Sequence, residues 1–152
     1  PYTTLFRSPA ASARTLTVMC GGDPEVFARA KPVFETFGGM IVLLGPLGAG
    51  QRAKIVNNAL LAANMGLAQA ALSAGEGLGI DRAALADLIK ASSGRSFGFE
   101  VFARLPAPAA FAHGAPLLVK DVNLLKTILP GHDGAEALST AAAPFLSAAT
   151  GG

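Results

Sequence analysis

Gly48-Ala-Gly-Gln-Arg-Ala-Lys-Ile-Val-Asn-Asn58 is the stretch on which the reading of this chain turns. Two glycines open it, and a helix is expected to begin there, with Lys54 in its first turns and Asn58 four residues on. Residues at i and i+4 share a helix face. Lys54 and Asn58 therefore point the same way, a cationic donor and a neutral amide close to a helix N-terminus, where anionic ligands are favoured. Read from the residues alone, Lys54 could equally be a solvated lysine at the start of a buried helix. Gly48 and Gly50 could simply end a loop, or could let the backbone approach an anion. The stretch is not a dinucleotide fingerprint: Gly45-Pro-Leu-Gly-Ala-Gly50 has strand-to-helix surroundings, but no acidic residue follows at a strand end about 20 positions on, as that motif expects.

Upstream, Leu16-Thr-Val-Met-Cys20 is a short β-rich run ended by Gly21-Gly22. Asp23-Pro24 reads as an N-cap followed by proline at the first helical position. Val26, Phe27, Ala30, Val33, Phe34 and Phe37 then recur at helical spacing, with Pro32 a possible kink, until Gly38-Gly39 stops them. Met40-Ile-Val-Leu-Leu44 is a second apolar strand, ended by Gly45-Pro46. Strand, helix, strand is the tail of an α/β domain.

Downstream the pattern is helical only. The helix from about 49 to 75 is apolar on most faces and is expected to be central, broken by Gly75, Gly77 and Gly79. Asp81 caps a helix with Leu85, Leu88 and Ile89 as its core stripe. A short helix from Ser96 to Arg104 carries Phe97, Val101 and Phe102 inward, and residues 105–115 read as a loop. Pro116 starts a helix with Leu117, Leu118, Lys120, Asp121, Leu124, Leu125 and Ile128. The last helix, from about 135 to 149, contains Pro144, which questions its continuity. The expected helical core is Ile55, Leu60, Leu67, Leu85, Leu88, Leu118, Leu124 and Leu138.

The 152 residues, 51% hydrophobic and 14% charged, suffice for one domain with a sizeable core and are too poor in charge for a disordered chain. Net charge is +2 with no Lys/Arg run, so a nucleic-acid partner is not expected. Cys20 is the single cysteine, which rules out an internal disulfide, and His113 and His132 have no companions at metal-ligand spacing, so no metal is expected. The apolar stretch from Ile55 to Ala74 could span a bilayer by length. Asn57, Asn58, Asn64 and Gln69 within it would be costly in lipid, so a buried helix in a cytoplasmic protein without a membrane partner is expected. Pro1-Tyr-Thr-Thr-Leu-Phe-Arg-Ser8 is what a common sequencing adapter gives when translated in frame. Residues 1–8 are read as non-native, without defined contacts, a true N-terminal extension being the alternative.

Gly48 to Asn58 resembles the signature GxGxxxKxxNN of the β-hydroxyacid dehydrogenases, which include 3-hydroxyisobutyrate dehydrogenase and tartronate semialdehyde reductase. The resemblance runs from about Thr15 to Leu146. It is also carried by Leu16-Thr-Val-Met-Cys-Gly-Gly-Asp-Pro-Glu-Val-Phe27 and the residues after it to Gly39, by Leu78-Gly-Ile-Asp81, and by Leu117-Leu-Val-Lys-Asp121. It implies a mostly α fold: residues 9–46 as the strand–helix–strand tail of a Rossmann-type NAD(P)-binding domain, and residues 47–152 as an all-helical C-terminal domain of the 6-phosphogluconate dehydrogenase-like type.

By the same resemblance, the protein is an NAD(P)-dependent oxidoreductase of a small 3-hydroxy acid. Lys54 is its acid/base and Asn58 a catalytic and substrate-holding amide, while Asn57 has a structural reading as well. Phe97 sits where a substrate wall is often found, though core packing is the stronger reading there. Lys120 reaches the nicotinamide end of NAD or NADP, and Asp121 orients it; as residues alone, the two read as an exposed ion pair of little worth. The family's G-x-G-x-x-G phosphate loop and Ser-Gly-Gly strand end are not in these 152 residues, so the chain alone is expected to be inactive. Homo-oligomers through the helical domain are implied. The alternatives are a non-catalytic helical assembly module of the same fold, or an imine or other reductase on this scaffold.

Overall fold

The computed structural model describes residues 12–151. The expectation for residues 1–8 lies outside them. The chain divides into two compact units, up to Ile55 and from Val56 onward.

In the first unit, β1 (Leu16–Cys20) and β2 (Gly38–Leu43) pair in parallel, from Thr17 opposite Met40 to Cys20 opposite Leu43, with an irregularity between Leu16 and Thr17. Parallel strands need a crossover, supplied here by α1 (Pro24–Phe34). The Asp23 carboxylate accepts from the N–H groups of Glu25 and Val26 at 2.8 and 3.0 Å, satisfying donors that the first turn leaves open. Pro32 does not interrupt α1, which ends two residues later. The second strand starts at Gly38 rather than Met40, with Gly38 opposite Leu16 and Gly39 at the irregularity. Beyond the strands, Leu44 N–H donates to Cys20 C=O and Gly22 N–H to Gly45 C=O, each at 2.9 Å, prolonging the pairing. Gly21 and Gly50 are cradle positions: a Cβ on Gly21 would meet Pro46 O at 2.6 Å, and one on Gly50 would collide with Met19 O.

α2 (Ala49–Gly77) is the long helix the apolar run foretells. Gly75 and Gly77 lie within it rather than breaking it, and Gly79, at φ +75°, is where the chain turns away. From Val56 onward α2 belongs to the second unit, with α3 (Arg82–Ala91), α4 (Phe97–Ala103), a 3₁₀ turn (Pro108–Phe111), α5 (Ala115–Ile128) and α6 (Asp133–Thr150). The 3₁₀ turn falls inside the segment read as loop. α6 runs unbroken through Pro144; the residue whose carbonyl that proline leaves unbonded, Thr140, is exposed to solvent.

The second unit's core is built from small residues and a few large ones: Ala59, Ala62, Met65, Ala68 and Leu72 of α2, Phe99 and Phe102 of α4, Leu118, Val122 and Leu125 of α5, and Ala142, Phe145 and Leu146 of α6. Phe145 sits between Phe102, edge to face at 5.9 Å, and Phe111 at 5.7 Å. Two glycines of the second unit set helix distances. A Cβ on Gly66 would run into the carbonyl oxygen of Ala141 on α6, and one on Gly98 would come within 2.6 Å of Asn64 Cβ on α2.

Several expected core residues point outward. Leu60 (48% exposed), Leu67 (57%), Leu88 and Leu124 are at the surface, whereas Ile55 and Leu118 are buried and Leu85 and Leu138 half-buried. α2 buries Ala59, Ala62, Ala63 and Ala68 together with Met65 and Leu72, and leaves Leu60 and Leu67 outside. Phe97 is also exposed, at 73%, which corrects both its inward placement and the core-packing reading. Ser96 is the N-cap rather than a helical residue, its Oγ accepting from Phe99 N–H at 3.0 Å. The helix therefore begins one residue later, and Phe99 and Phe102, three apart, take the inward face.

Gly66→Ala is expected to destabilise the chain by about 1–3 kcal/mol through overpacking against Ala141. Gly77→Ala, whose Cβ meets nothing within 4 Å, is expected to be neutral or to stabilise by up to about 1 kcal/mol through helix propensity. Urea unfolding of both variants checks this, and equal midpoints would contradict the close α2–α6 approach.

Candidate functional site

The polar face of α2 begins just after a glycine in the left-handed region, Gly48 at φ +86°. At this helix start Ala49 N–H donates to Pro46 C=O at 2.9 Å and Arg52 N–H to Gly48 C=O at 3.1 Å. Lys54 and Asn58 follow on α2 at i and i+4, both half-buried. The helix is continuous through both residues, so the shared face read from the sequence is present.

Within the second unit, Asn58 meets α5. Its Nδ2 donates to Asp121 Oδ2 at 2.6 Å, a contact between residues 63 positions apart. Asp121 is 2% exposed, the one buried polar or charged side chain among the described residues. Lys120 Nζ lies 3.3 Å from Asp121 Oδ1, its side chain 63% exposed while that of Asp121 is 3%. A carboxylate taken out of water needs compensating partners. The Asn58 amide and the Lys120 ammonium are two of them, each serving a different oxygen.

The physical cause of Asp121's burial is its place on α5. It stands three residues after Leu118 and four before Leu125, both buried, so helical period puts it on the inward face. A charge on a core stripe calls for a partner from another element, and Asp121 bonds Asn58 of α2 as well as pairing with Lys120 of its own helix. Phe97, at the exposed start of α4, makes no contact with this group that the geometry records, and its ring faces solvent within the unit. Asn57 is exposed on α2, one position round from Asn58. His132 caps α6, its Nδ1 accepting from Gly134 N–H at 3.1 Å, which is a structural role. No group of three metal-binding side chains occurs among the described residues.

Within the second unit, the arrangement offers an amide on α2 held by a buried carboxylate of α5 that also pairs with a surface ammonium. The residues that would cradle a pyrophosphate do not include a G-x-G-x-x-G loop in this chain.

Comparison with known proteins gives a consistent result. Residues 48–151 match the family described as NAD-binding of NADP-dependent 3-hydroxyisobutyrate dehydrogenase, and residues 8–45 match the NAD binding domain of 6-phosphogluconate dehydrogenase. An NAD-dependent L-serine dehydrogenase of Pseudomonas aeruginosa is 41% identical over 123 residues, which cover 75% of this chain and 41% of that protein. A 3-hydroxyisobutyrate dehydrogenase of the same organism is 39% identical over 118 residues, 74% of this chain and 40% of that protein. The chain thus spans about two fifths of the length of these curated relatives. Among solved structures, a Mycobacterium tuberculosis 3-hydroxyisobutyrate dehydrogenase with L-serine aligns at a TM-score of 0.69 and 28% identity, over 91% of this chain and 52% of that one.

Asn58→Asp would set two carboxyl oxygens at the 2.6 Å now spanned by the hydrogen bond. Only one negative charge is tolerable there, so the folded variant holds a proton that the unfolded chain releases by about pH 5. The variant is then expected to lose about 3–5 kcal/mol at pH 8 and to recover much of it as pH falls toward 4. Urea titrations at the two pH values check this; a deficit independent of pH would contradict the contact.

Proposed function

The chain belongs to the β-hydroxyacid dehydrogenase family, and from that premise we propose that it supplies the substrate-side machinery of an NAD(P)-dependent dehydrogenase acting on a small 3-hydroxy acid. The observation that carries this reading is the Asn58–Asp121 bond of the helical unit with Lys120 beside it, Lys54 standing four residues before Asn58 in the sequence of α2. The relatives named as 3-hydroxyisobutyrate and L-serine dehydrogenases support the substrate class.

In this reading Lys54 holds at Nζ the proton that the substrate hydroxyl releases on oxidation, and returns it on reduction. The dinucleotide, when bound, accepts the hydride from the carbon that bears that hydroxyl. Asn58 holds the oxygen from the same helix face, so the reacting group is fixed relative to Lys54 by helix geometry alone. Lys120 is the group placed to meet the nicotinamide end. Its charge is steadied by Asp121, which keeps a flexible four-carbon side chain near one position. Phe97, with an exposed ring, is available as a wall for substrate supplied against this face.

Two further assignments go with it. Val56, Leu60 and Leu67 form an exposed apolar row at i, i+4 and i+11 on α2, which supports a homo-oligomer through the helical domain. A cytoplasmic location suits an α2 that is long and apolar enough to span a bilayer yet carries five amide side chains and buries much of its surface inside the protein.

In the enzyme encoded by the complete gene, Lys54→Ala is expected to lower kcat by about 10²–10⁴-fold while cofactor affinity is kept. Near-normal turnover would remove Lys54 from the chemistry. For the oligomer, Leu60→Glu with Leu67→Glu is expected to shift the sedimentation coefficient to that of a monomer, with the helical circular dichroism retained. Sedimentation unchanged from wild type would place any interface elsewhere.

A further inference from the structure

Asp121 bears on what Asn58 can recognise. An ionised carboxylate only accepts hydrogen bonds. Of the two ends of the Asn58 carboxamide, only the NH₂ end can therefore face Asp121 Oδ2, at 2.6 Å. The flipped amide would set its carbonyl oxygen against the carboxylate and forfeit a charge-assisted bond. Asn58 Oδ1 is thereby turned away from Asp121, toward whatever α2 presents that face to. An acceptor in that place suits a hydroxyl, which can donate to it, and repels the oxygens of a carboxylate.

We propose that Asp121 is a positioning residue for substrate recognition: by holding Nδ2 of Asn58 it directs Oδ1 toward the ligand, where it accepts a hydrogen bond from the hydroxyl of a small hydroxy acid. The proposal rests on the dehydrogenase reading and deepens it. It gives Asn58 the hydroxyl end of the substrate rather than its carboxylate, and it makes the charge of Asp121, not only its shape, the source of the preference. Lys120, mostly exposed, compensates the other carboxylate oxygen and leaves Oδ2 to the amide.

Asp121→Asn isolates this role. The replacement keeps the volume and can still bond Asn58, but it can do so in either orientation, as acceptor to Nδ2 or as donor to Oδ1. Packing is preserved while the orientation preference is lost. In the enzyme encoded by the complete gene, KM and kcat would be measured with 3-hydroxyisobutyrate and with L-serine for wild type, Asp121→Asn, Asn58→Ala and the double variant, together with inhibition by isobutyrate, which lacks the hydroxyl. Asp121→Asn is expected to raise KM roughly tenfold, the scale of one hydrogen bond to a charged or reacting group. The fall in kcat should be smaller, and the urea midpoint should stay close to wild type. In the Asn58→Ala background the same change should leave KM almost where it was, since Asp121 then has no amide to position. The inhibition constant of isobutyrate should hardly move.

An unchanged KM in Asp121→Asn would overturn the proposal, as would a full additional rise in the double variant, which would mean that Asp121 meets the ligand itself. Equal weakening of isobutyrate would overturn the assignment to the hydroxyl. If the wild-type enzyme turns over neither acid, the dehydrogenase reading fails, and the positioning role is judged on the 152-residue chain by the side-chain amide resonances of Asn58. A large shift of that pair on Asp121→Asn, with the backbone spectrum preserved, would support the positioning; resonances identical to wild type would overturn it.

Discussion

A carboxylate on the inward face of a helix must find partners or unfold the helix that carries it, and Asp121 is the place where this chain meets that constraint. At 2% exposure it cannot rely on water. Its partners come from two directions, an amide from α2 and an ammonium from its own helix. The contact ties α5 to α2 through one pair of side chains 63 positions apart. The same contact determines which end of Asn58 faces outward.

That bond is possible because the helices around α2 can come close. Gly66 of α2 lies directly against the Ala141 carbonyl of α6, and α2 buries four alanines around it. Small residues bury little area each, so a helix pair of this kind gains from close backbone approach and dispersion over many contacts rather than from a few large side chains. The bulk comes from elsewhere: Phe99 and Phe102 of α4 and Phe145 of α6 fill the space the alanines leave. Val56, Leu60 and Leu67 stay exposed on another side of α2.

Much of this was legible in the residues. The first strand, the caps Asp23 and Asp81, and the start of α2 follow from local chemistry, because a cap or an apolar run acts within a few positions. Lys54 and Asn58 were recognisable by spacing on one helix. What escaped is what depends on phase or on distant partners. Whether Ser96 is the last loop residue or the first helical one moves Phe97 from inside to outside, and nothing local decides it but a hydroxyl bonding Phe99 N–H. Leu60 and Leu67 were assigned to the core because an all-apolar helix has no visible outside; α2 buries Ala59, Ala62, Met65 and Leu72 instead. Asp121 was read as a helper of its neighbour because its contact with Asn58 spans 63 residues, beyond any local pattern. Pro144 looked like a break, but the carbonyl it strands lies on an exposed residue and water can serve it.

The dependence of the helical unit on the Asn58–Asp121 bond can be measured without any ligand or activity. A double-mutant cycle of Asn58→Ala and Asp121→Ala, read by urea unfolding of the chain at neutral pH, isolates the energy of that pair from everything else each side chain does. The account predicts a favourable coupling of about 1–3 kcal/mol, the range of hydrogen bonds to charged groups. A coupling indistinguishable from zero would mean that the two residues act independently, and that the buried carboxylate of α5 does not orient Asn58.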